Sequence, residues 1–119
     1  MAFTPAPVKE PVAFSVLEHL DIRVGQIVSV DDIPQSKKLV RLQVDIGNET
    51  RTIVAGLKGE RPDLSVLVGS QALFVVNLEP RRMAGVMSEG MLFDLGYADG
   101  ITPVLAVPEA PVPNGTRAG

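Results

Sequence analysis

The residue types best suited to binding chemistry are concentrated in one stretch, residues 77–91. It combines two adjacent arginines, Arg81 and Arg82, with three methionines and the two glycines Gly85 and Gly90. A guanidinium group offers a planar fork that matches phosphate, and a methionine offers a soft surface for a base or an apolar partner. The stretch is too irregular for a helix or a strand, so it predicts a loop. Two interpretations stay open: a ligand-binding loop, or a long hairpin connection with solvated arginines and methionines packed into the core.

Strands must position this loop, because an apolar run precedes it at residues 72–76 and another resumes at residue 91. Residues 39–46 alternate, which places Val40, Leu42, Val44 and Ile46 inward and Arg41, Gln43 and Asp45 outward. The pattern predicts five strands over residues 21–30, 39–46, 50–55, 71–76 and 91–95, with a sixth short strand within 101–107. Gly25 is expected to mark a bulge or a bend in the first strand.

Short helices are expected at two points. Residues 14–20 have apolar residues at helical spacing, with Ser15 placed as the N-cap. Pro62, Asp63 and Leu64 would begin a second short helix that plugs one end of the sheet. Five short strands with a helical insertion between the third and fourth predict an all-β fold, a five-stranded OB-fold Greek-key barrel. A β-sandwich is the alternative, although it usually has more strands.

Composition narrows the class of protein. The chain has 119 residues, 45% of them hydrophobic and 21% charged, which predicts one globular domain. Residues 1–12 hold three prolines and predict a flexible arm ahead of a domain over residues 13–119. The absence of cysteine excludes a disulfide scaffold, and a single histidine excludes a multi-histidine metal centre. No catalytic residues, metal site or cofactor are predicted. Without a membrane span or a signal sequence, a cytoplasmic location is expected.

The charge distribution permits a basic surface on an acidic protein. The net charge is −3, but residues 37–82 hold eight of the 11 basic residues and only five of the 14 acidic ones. A negative total argues against nucleic-acid binding, whereas the basic middle allows it.

Several segments, in order along the chain, resemble the tRNA-binding domain family. They span residues 21–25, 36–39, 44–47, 52–56, 76–92 and 112–116. The family includes OB-folds appended to methionyl-tRNA synthetase, free-standing tRNA-binding proteins and CsaA-type secretion chaperones. The sequence departs from many relatives at residues 33–39, where their His-Pro-x-Ala-Asp-Lys-Leu is Ile-Pro-Gln-Ser-Lys-Lys-Leu. The 52–56 segment is similar to the tRNA-binding branch, and the Pro113-Asn114-Gly115 ending is shared with CsaA.

The resemblance implies specific roles. Lys38, Arg81 and Arg82 match the family's positive positions and would contact phosphate, with Arg41, Arg51 and Lys58 as supporting charges. Asn77 and Ser88 would hydrogen-bond a base edge or a 2′-hydroxyl, and Met83 and Met91 would pack against an unstacked base. The predicted RNA-binding set is therefore Lys38, Arg41, Arg51, Asn77, Arg81, Arg82, Met83, Ser88 and Met91. Simpler roles stay open: Arg41 and Arg51 as solvated strand charges, and Asn77 as a turn cap.

Two functions follow from the resemblance. The first is a free-standing homodimeric protein that recognises tRNA by shape. The alternative is a CsaA-type chaperone that binds unfolded export substrates on apolar surface such as Met83, Met87 and Phe93. The expected partners are tRNA, a second copy of the chain, and either unfolded polypeptide or an aminoacyl-tRNA synthetase. No enzyme activity is expected, because no nucleophile–base pair is visible.

Overall fold

A five-stranded antiparallel sheet dominates the computed structural model, which describes residues 3–119. Its strands are β1 (Ile22–Asp32), β2 (Val40–Asp45), β3 (Thr50–Ala55), β4 (Gln71–Val75) and β7 (Met91–Leu92), in the order β3-β2-β1-β4-β7. The sheet curls so that β7 also lies beside β3, the opposite edge strand. The fold is therefore all-β and OB-like, as predicted.

The remaining elements are short. They are the helix α1 (Phe14–Glu18), the 3-10 turns Leu64–Leu67 and Tyr97–Asp99, and the strands β5 (Arg81–Met83), β6 (Val86–Ser88), β8 (Asp94–Leu95) and β9 (Val104–Leu105). The pairs β5–β6 and β8–β9 form two separate two-stranded ribbons. The predicted fifth strand is therefore divided between β7 and β8, and the predicted strand at 101–107 is confirmed as β9.

The alternation predicted for β2 is confirmed. Val40, Leu42, Val44 and Ile46 are buried, and they join Ile27, Ile53, Leu57 and Phe74 in one core. Leu67 of the first 3-10 turn also lies in this core, as expected for a plug at one end of the sheet. Asp63 caps this turn by accepting a hydrogen bond from the Ser65 amide (2.9 Å).

Two local predictions were wrong. The β1–β2 register shifts between Ile27 and Ser29, so the bulge lies at Val28 and not at Gly25. A Cβ atom on Gly25 would lie 2.5 Å from Val44 Cγ1, so this glycine allows close packing across the barrel. Ser15 does not cap α1, because the helix begins at Phe14, its N-cap residue is Ala13, and no side chain bonds to the cap.

Residues 3–12 contain no helix or strand and are exposed, and residues 1 and 2 of the predicted arm lie outside the described residues. The flexible arm at 1–12 and the domain over 13–119 stay predictions. No helix within residues 3–119 is long and apolar enough to cross a membrane.

The segment at residues 113–118 is part of the barrel, because it is hydrogen-bonded to β1. The Gly115 amide donates to the Val24 carbonyl (2.7 Å), and the Val24 amide donates to the Thr116 carbonyl (2.9 Å). Asp21 clamps this segment to β1, because its carboxylate accepts hydrogen bonds from Arg23 (Nε, 3.0 Å) and from Arg117 (Nε, 3.1 Å). The Arg23 hydrogen bond, supported by Arg117, holds the pKa of Asp21 below its usual value of 3.8.

This clamp predicts a pH-dependent stability. A lowered pKa in the folded state means that the ionised Asp21 stabilises the fold above pH 3.8, and that this contribution is lost as the pH falls through the lowered pKa. We expect Asp21→Asn to reduce the free energy of unfolding by about 1 kcal/mol at neutral pH. The difference from wild type should vanish in strong acid, where the wild-type carboxyl is also protonated. Urea unfolding over a pH series measures this, and Asp99→Asn is the control. A difference that persists in strong acid would contradict the clamp.

Candidate nucleic-acid interface

The stretch at residues 77–91 contains a β-hairpin, so the predicted irregular loop was wrong in that respect. β5 and β6 pair as Arg81↔Ser88, Arg82↔Met87 and Met83↔Val86. The two residues of the turn, Ala84 and Gly85, both have positive φ (49° and 80°), which is the type I′ geometry that matches strand twist. Neighbouring strand residues face opposite sides, so Arg81 and Arg82 present one cation on each face of the hairpin.

Ser88 fastens the hairpin to the barrel. It is only 3% exposed, and its hydroxyl accepts a hydrogen bond from the Val54 amide (3.0 Å) and donates one to the Gly90 carbonyl (3.1 Å). The Glu89 amide donates to the Thr52 carbonyl (2.8 Å) beside it. Because its hydroxyl is occupied and buried, Ser88 is corrected from an RNA contact to a residue that positions the hairpin on β3.

Arg51 lies on the core face of β3 at the end of the barrel, because it pairs with the inward-facing Val44. Its guanidinium pairs with Glu49 (2.8 Å) and donates hydrogen bonds to the carbonyls of Val76 and Glu89. These acceptors belong to the residues just before and within the 77–91 stretch. Arg51 therefore braces both ends of this stretch, and this structural role differs both from the predicted supporting RNA contact and from a solvated strand charge.

Asn77 joins α1 to the same region. Its side-chain oxygen accepts from the Asp21 amide (2.8 Å), and its amide nitrogen donates to the His19 carbonyl (2.8 Å). Both polar atoms are thus engaged within the chain, as in the capping interpretation, and the predicted contact with a base stays a prediction.

The loop before β2 carries Lys38 and is held from two sides. The Ser36 hydroxyl accepts hydrogen bonds from the amides of Lys38 (3.2 Å) and Leu39 (2.9 Å). Lys58, a predicted supporting charge, instead donates to the carbonyls of Ile33 (2.9 Å) and Ser36 (2.6 Å) and pairs with Asp32. Ser36 and Lys58 therefore fix the loop, and the Lys38 side chain remains exposed.

The hairpin and the Lys38 loop flank the same end of the β2–β3 pair. On the hairpin side, Ser88 is hydrogen-bonded to Val54, near the end of β3. The next residue of β3, Ala55, pairs with Val40 at the start of β2, and Val40 lies two residues after Lys38. Between them, the outward face of β2 and β3 presents Arg41, Gln43 and Thr52. Gln43 donates to the Thr52 hydroxyl (3.0 Å), and Arg41 lies 3.9 Å from Asp31.

The cations of this region fall into two groups. Lys37, Lys38, Arg81 and Arg82 are exposed and make no ion pair within residues 3–119. Arg41, Arg51 and Lys58 each pair with a carboxylate. Met87 and Met91 are exposed and Met83 is half-buried, so Met87 does not belong to the core. In the described part of the chain, no three His, Cys, Asp or Glu side chains come together as metal ligands.

Comparison with known proteins places this geometry in context. The family model described as "Putative tRNA binding domain" matches residues 22–117. The methionine–tRNA ligase of Methanocaldococcus jannaschii is 43% identical over 99 residues, which cover 82% of this chain but only 15% of the ligase. The chain therefore spans a small fraction of the length of this relative.

Two solved structures are similar over nearly the whole chain. The MetRS-related protein from Pyrococcus horikoshii is 36% identical with a TM-score of 0.84, covering 93% of this chain and all of that one. The chaperone CsaA from Bacillus anthracis is 28% identical with a TM-score of 0.78, covering 92% of this chain and all of that one.

Proposed function

This chain belongs to the tRNA-binding domain family, and on this premise we propose that it binds tRNA through the exposed cations beside the β2–β3 face. The observation that carries the proposal is the division among the basic residues. Lys38, Arg81 and Arg82, like Lys37 beside Lys38, are exposed and lack ion pairs within the described residues 3–119, whereas Arg41, Arg51 and Lys58 are paired with carboxylates. Unpaired exposed cations are the groups that can exchange their counterions for phosphates at little cost.

Recognition would follow tRNA shape and not one anticodon. Phosphate contacts fix a protein's position on a nucleic acid without reading bases. The side chains predicted to read base edges, Asn77 and Ser88, are engaged in hydrogen bonds within the protein. Arg41, Met83 and Met91 would add contacts around the three central cations.

Filter binding of purified tRNA at low salt, with duplex DNA of equal phosphate concentration as competitor, tests the proposal. We expect retention of tRNA that survives the competitor, and similar affinities for tRNA transcripts that differ only in the anticodon. Failure to retain any tRNA at low salt would contradict the proposal.

We further propose that the chain acts as a homodimer through α1. None of the residues of α1 is buried, and Phe14, Val16 and Leu17 are all more than half exposed. Phe14, Leu17, Leu20 and Ile22 line a groove of about 410 Å³ together with residues 117–119. A second copy that covers this groove would bury the apolar surface and bring two basic faces to one RNA.

The dimer makes a prediction about Leu17, which is 53% exposed in the groove. We expect Leu17→Asp to convert the dimer to a monomer, because a charge in an apolar interface is costly to desolvate. Light scattering at micromolar concentration measures the change. The control is Val66→Asp, which places the same charge at a valine that is 65% exposed and lies outside the groove. A monomeric wild-type protein would contradict the proposal.

The alternative function is a CsaA-type chaperone for unfolded polypeptide. It is favoured by the similarity to the CsaA structure and by the exposed Met87 on the hairpin. Suppression of the aggregation of an unfolded client, unaffected by competing tRNA, would favour this alternative. An aminoacyl-tRNA synthetase is a further proposed partner, because the related ligase contains a similar segment.

A further inference from the structure

A second feature beside Lys38 has no assigned role. A cleft of about 310 Å³ lies between the Lys38 loop and the 3-10 turn Tyr97–Asp99, and it is lined by Lys38, Leu39, Gly56, Asp94 and Tyr97. Tyr97 is 68% exposed, whereas tyrosines are on average of intermediate burial. The cleft therefore combines a cation, a carboxylate and an exposed ring within one small space.

The turn that carries Tyr97 is closed by its own hydrogen bonds. The Gly96 carbonyl accepts from the amides of Asp99 (3.1 Å) and Ile101 (3.0 Å), and the Tyr97 carbonyl accepts from the Gly100 amide (3.2 Å). The two glycines that bound the turn have positive φ, 111° at Gly96 and 71° at Gly100. The turn is thus a defined structure that holds the ring at the protein surface.

The opposite wall of the cleft, formed by Lys38 and Leu39, is also fixed by hydrogen bonds. The Ser36 hydroxyl fixes the backbone of Lys38 and Leu39, and the Lys58 amide donates to the Lys38 carbonyl (3.1 Å). Asp94 belongs to β8, where it pairs with Leu105 of β9. The wall residues therefore lie on fixed backbone, which lowers the entropic cost of binding a flat ligand.

We propose that this cleft binds one unstacked nucleobase of the RNA. Tyr97 would stack on the base and Lys38 would contact the adjacent phosphate. Single-stranded nucleic acid is commonly bound in this way, by aromatic platforms beside cations. The inference rests on the proposed RNA-binding function and adds to it a site for a base, whereas the hairpin arginines contact only the backbone.

Asp94 gives the cleft a preference among bases. A carboxylate accepts hydrogen bonds from an exocyclic amino group, such as N4 of cytosine, but faces only an acceptor at O4 of uracil. The two pyrimidines have the same ring size and differ in the groups at position 4 and at N3, so the comparison isolates the hydrogen-bonding edge of the base. We expect short oligocytidylate to bind more tightly than oligouridylate of equal length.

The composition of the chain allows a direct test. Tyr97 is the single tyrosine and there is no tryptophan, so intrinsic fluorescence excited above the phenylalanine band reports on this residue alone. We expect short oligocytidylate to quench this emission on binding. Tyr97→Ala should weaken binding about tenfold, as is typical for the loss of one stacking platform. Tyr97→Phe should retain the affinity because the ring remains, whereas Tyr97→Leu should lose it. Asp94→Asn should abolish the preference for cytosine.

The outcomes separate this inference from the proposed function. If tRNA is retained on filters but Tyr97→Ala binds RNA like wild type and the emission is unchanged, the base site is overturned and the tRNA-binding proposal stands. If neither tRNA nor oligonucleotide binds, both are overturned. Equal affinities for oligocytidylate and oligouridylate would overturn the role of Asp94.

Discussion

Replacing Lys38, Arg81 and Arg82 together by alanine is expected to weaken tRNA binding roughly 100-fold at low salt. Each charge-assisted contact to phosphate contributes on the order of 1 kcal/mol in an exposed setting, and about 1.4 kcal/mol corresponds to a factor of ten. All three side chains are exposed, so their removal should leave the fold intact. Filter binding measures the loss, and the circular dichroism spectrum of the variant should match wild type.

A matched control distinguishes local contacts from a change in total charge. Lys9 is also exposed, but it lies in the segment before α1 and away from the candidate interface in the sequence. Lys9→Ala removes the same unit of charge as each of the single variants Lys38→Ala, Arg81→Ala and Arg82→Ala. We expect Lys9→Ala to change the affinity less than any of these three. Equal losses from all four single variants would show that binding follows net charge and not this surface.

Replacing Gly115 by alanine is expected to cost more than about 3 kcal/mol of stability, since it combines backbone strain with a steric clash. Gly115 has φ of 90°, and a Cβ atom there would lie 2.3 Å from the Ile46 carbonyl oxygen. Neither backbone segment can move easily to relieve the clash, because the Gly115 amide is hydrogen-bonded to the Val24 carbonyl and the Ile46 amide to the Glu49 carbonyl. The substitution should therefore detach the C-terminal segment from β1. Urea unfolding measures the change in free energy.

Gly69→Ala is the control for this prediction. Gly69 has the same φ of 90°, but no atom lies within 4 Å of the Cβ position. The backbone strain is shared by the two variants, and the clash is present only at Gly115. We expect Gly69→Ala to cost about 1 kcal/mol. If both variants lose equal stability, the contact between Gly115 and Ile46 does not hold the segment in place.

The strands were predictable where one face is buried. In β2, strict alternation over Val40–Asp45 assigned every side chain to the correct face. A strand with one buried face alternates apolar and polar residues, so its faces can be assigned from the sequence. The β5–β6 hairpin was missed because its turn is Ala84–Gly85 and not the Asn-Gly or Asp-Gly pair that signals a type I′ turn. Val28 gave no signal as a bulge, since its bulge arises from pairing with a strand twelve or more residues away.

The candidate site was predictable only in part. Family resemblance assigned Lys38, Arg81 and Arg82 to phosphate contacts, and their roles stay a proposal. For Arg51, the sequence did contain a signal. It lies two and four residues before the inward-facing Ile53 and Ala55 on the same strand, which places it on the core side. The engagement of Ser88 with Val54 joins residues 34 positions apart, and no local pattern could indicate it. Tyr97 was overlooked, although the glycines on either side of its turn mark it as an ordered surface feature.

The salt dependence of tRNA binding by the wild-type chain tests the central claim most directly. Each phosphate contact contributes about 0.7 to the slope of log affinity against log salt for single-stranded RNA, so three contacts predict a slope near −2. The triple variant, which lacks these three cations, should bind with a clearly shallower slope. An affinity for tRNA that does not change with salt, or the same slope for both proteins, would contradict the assignment of Lys38, Arg81 and Arg82 to the RNA backbone.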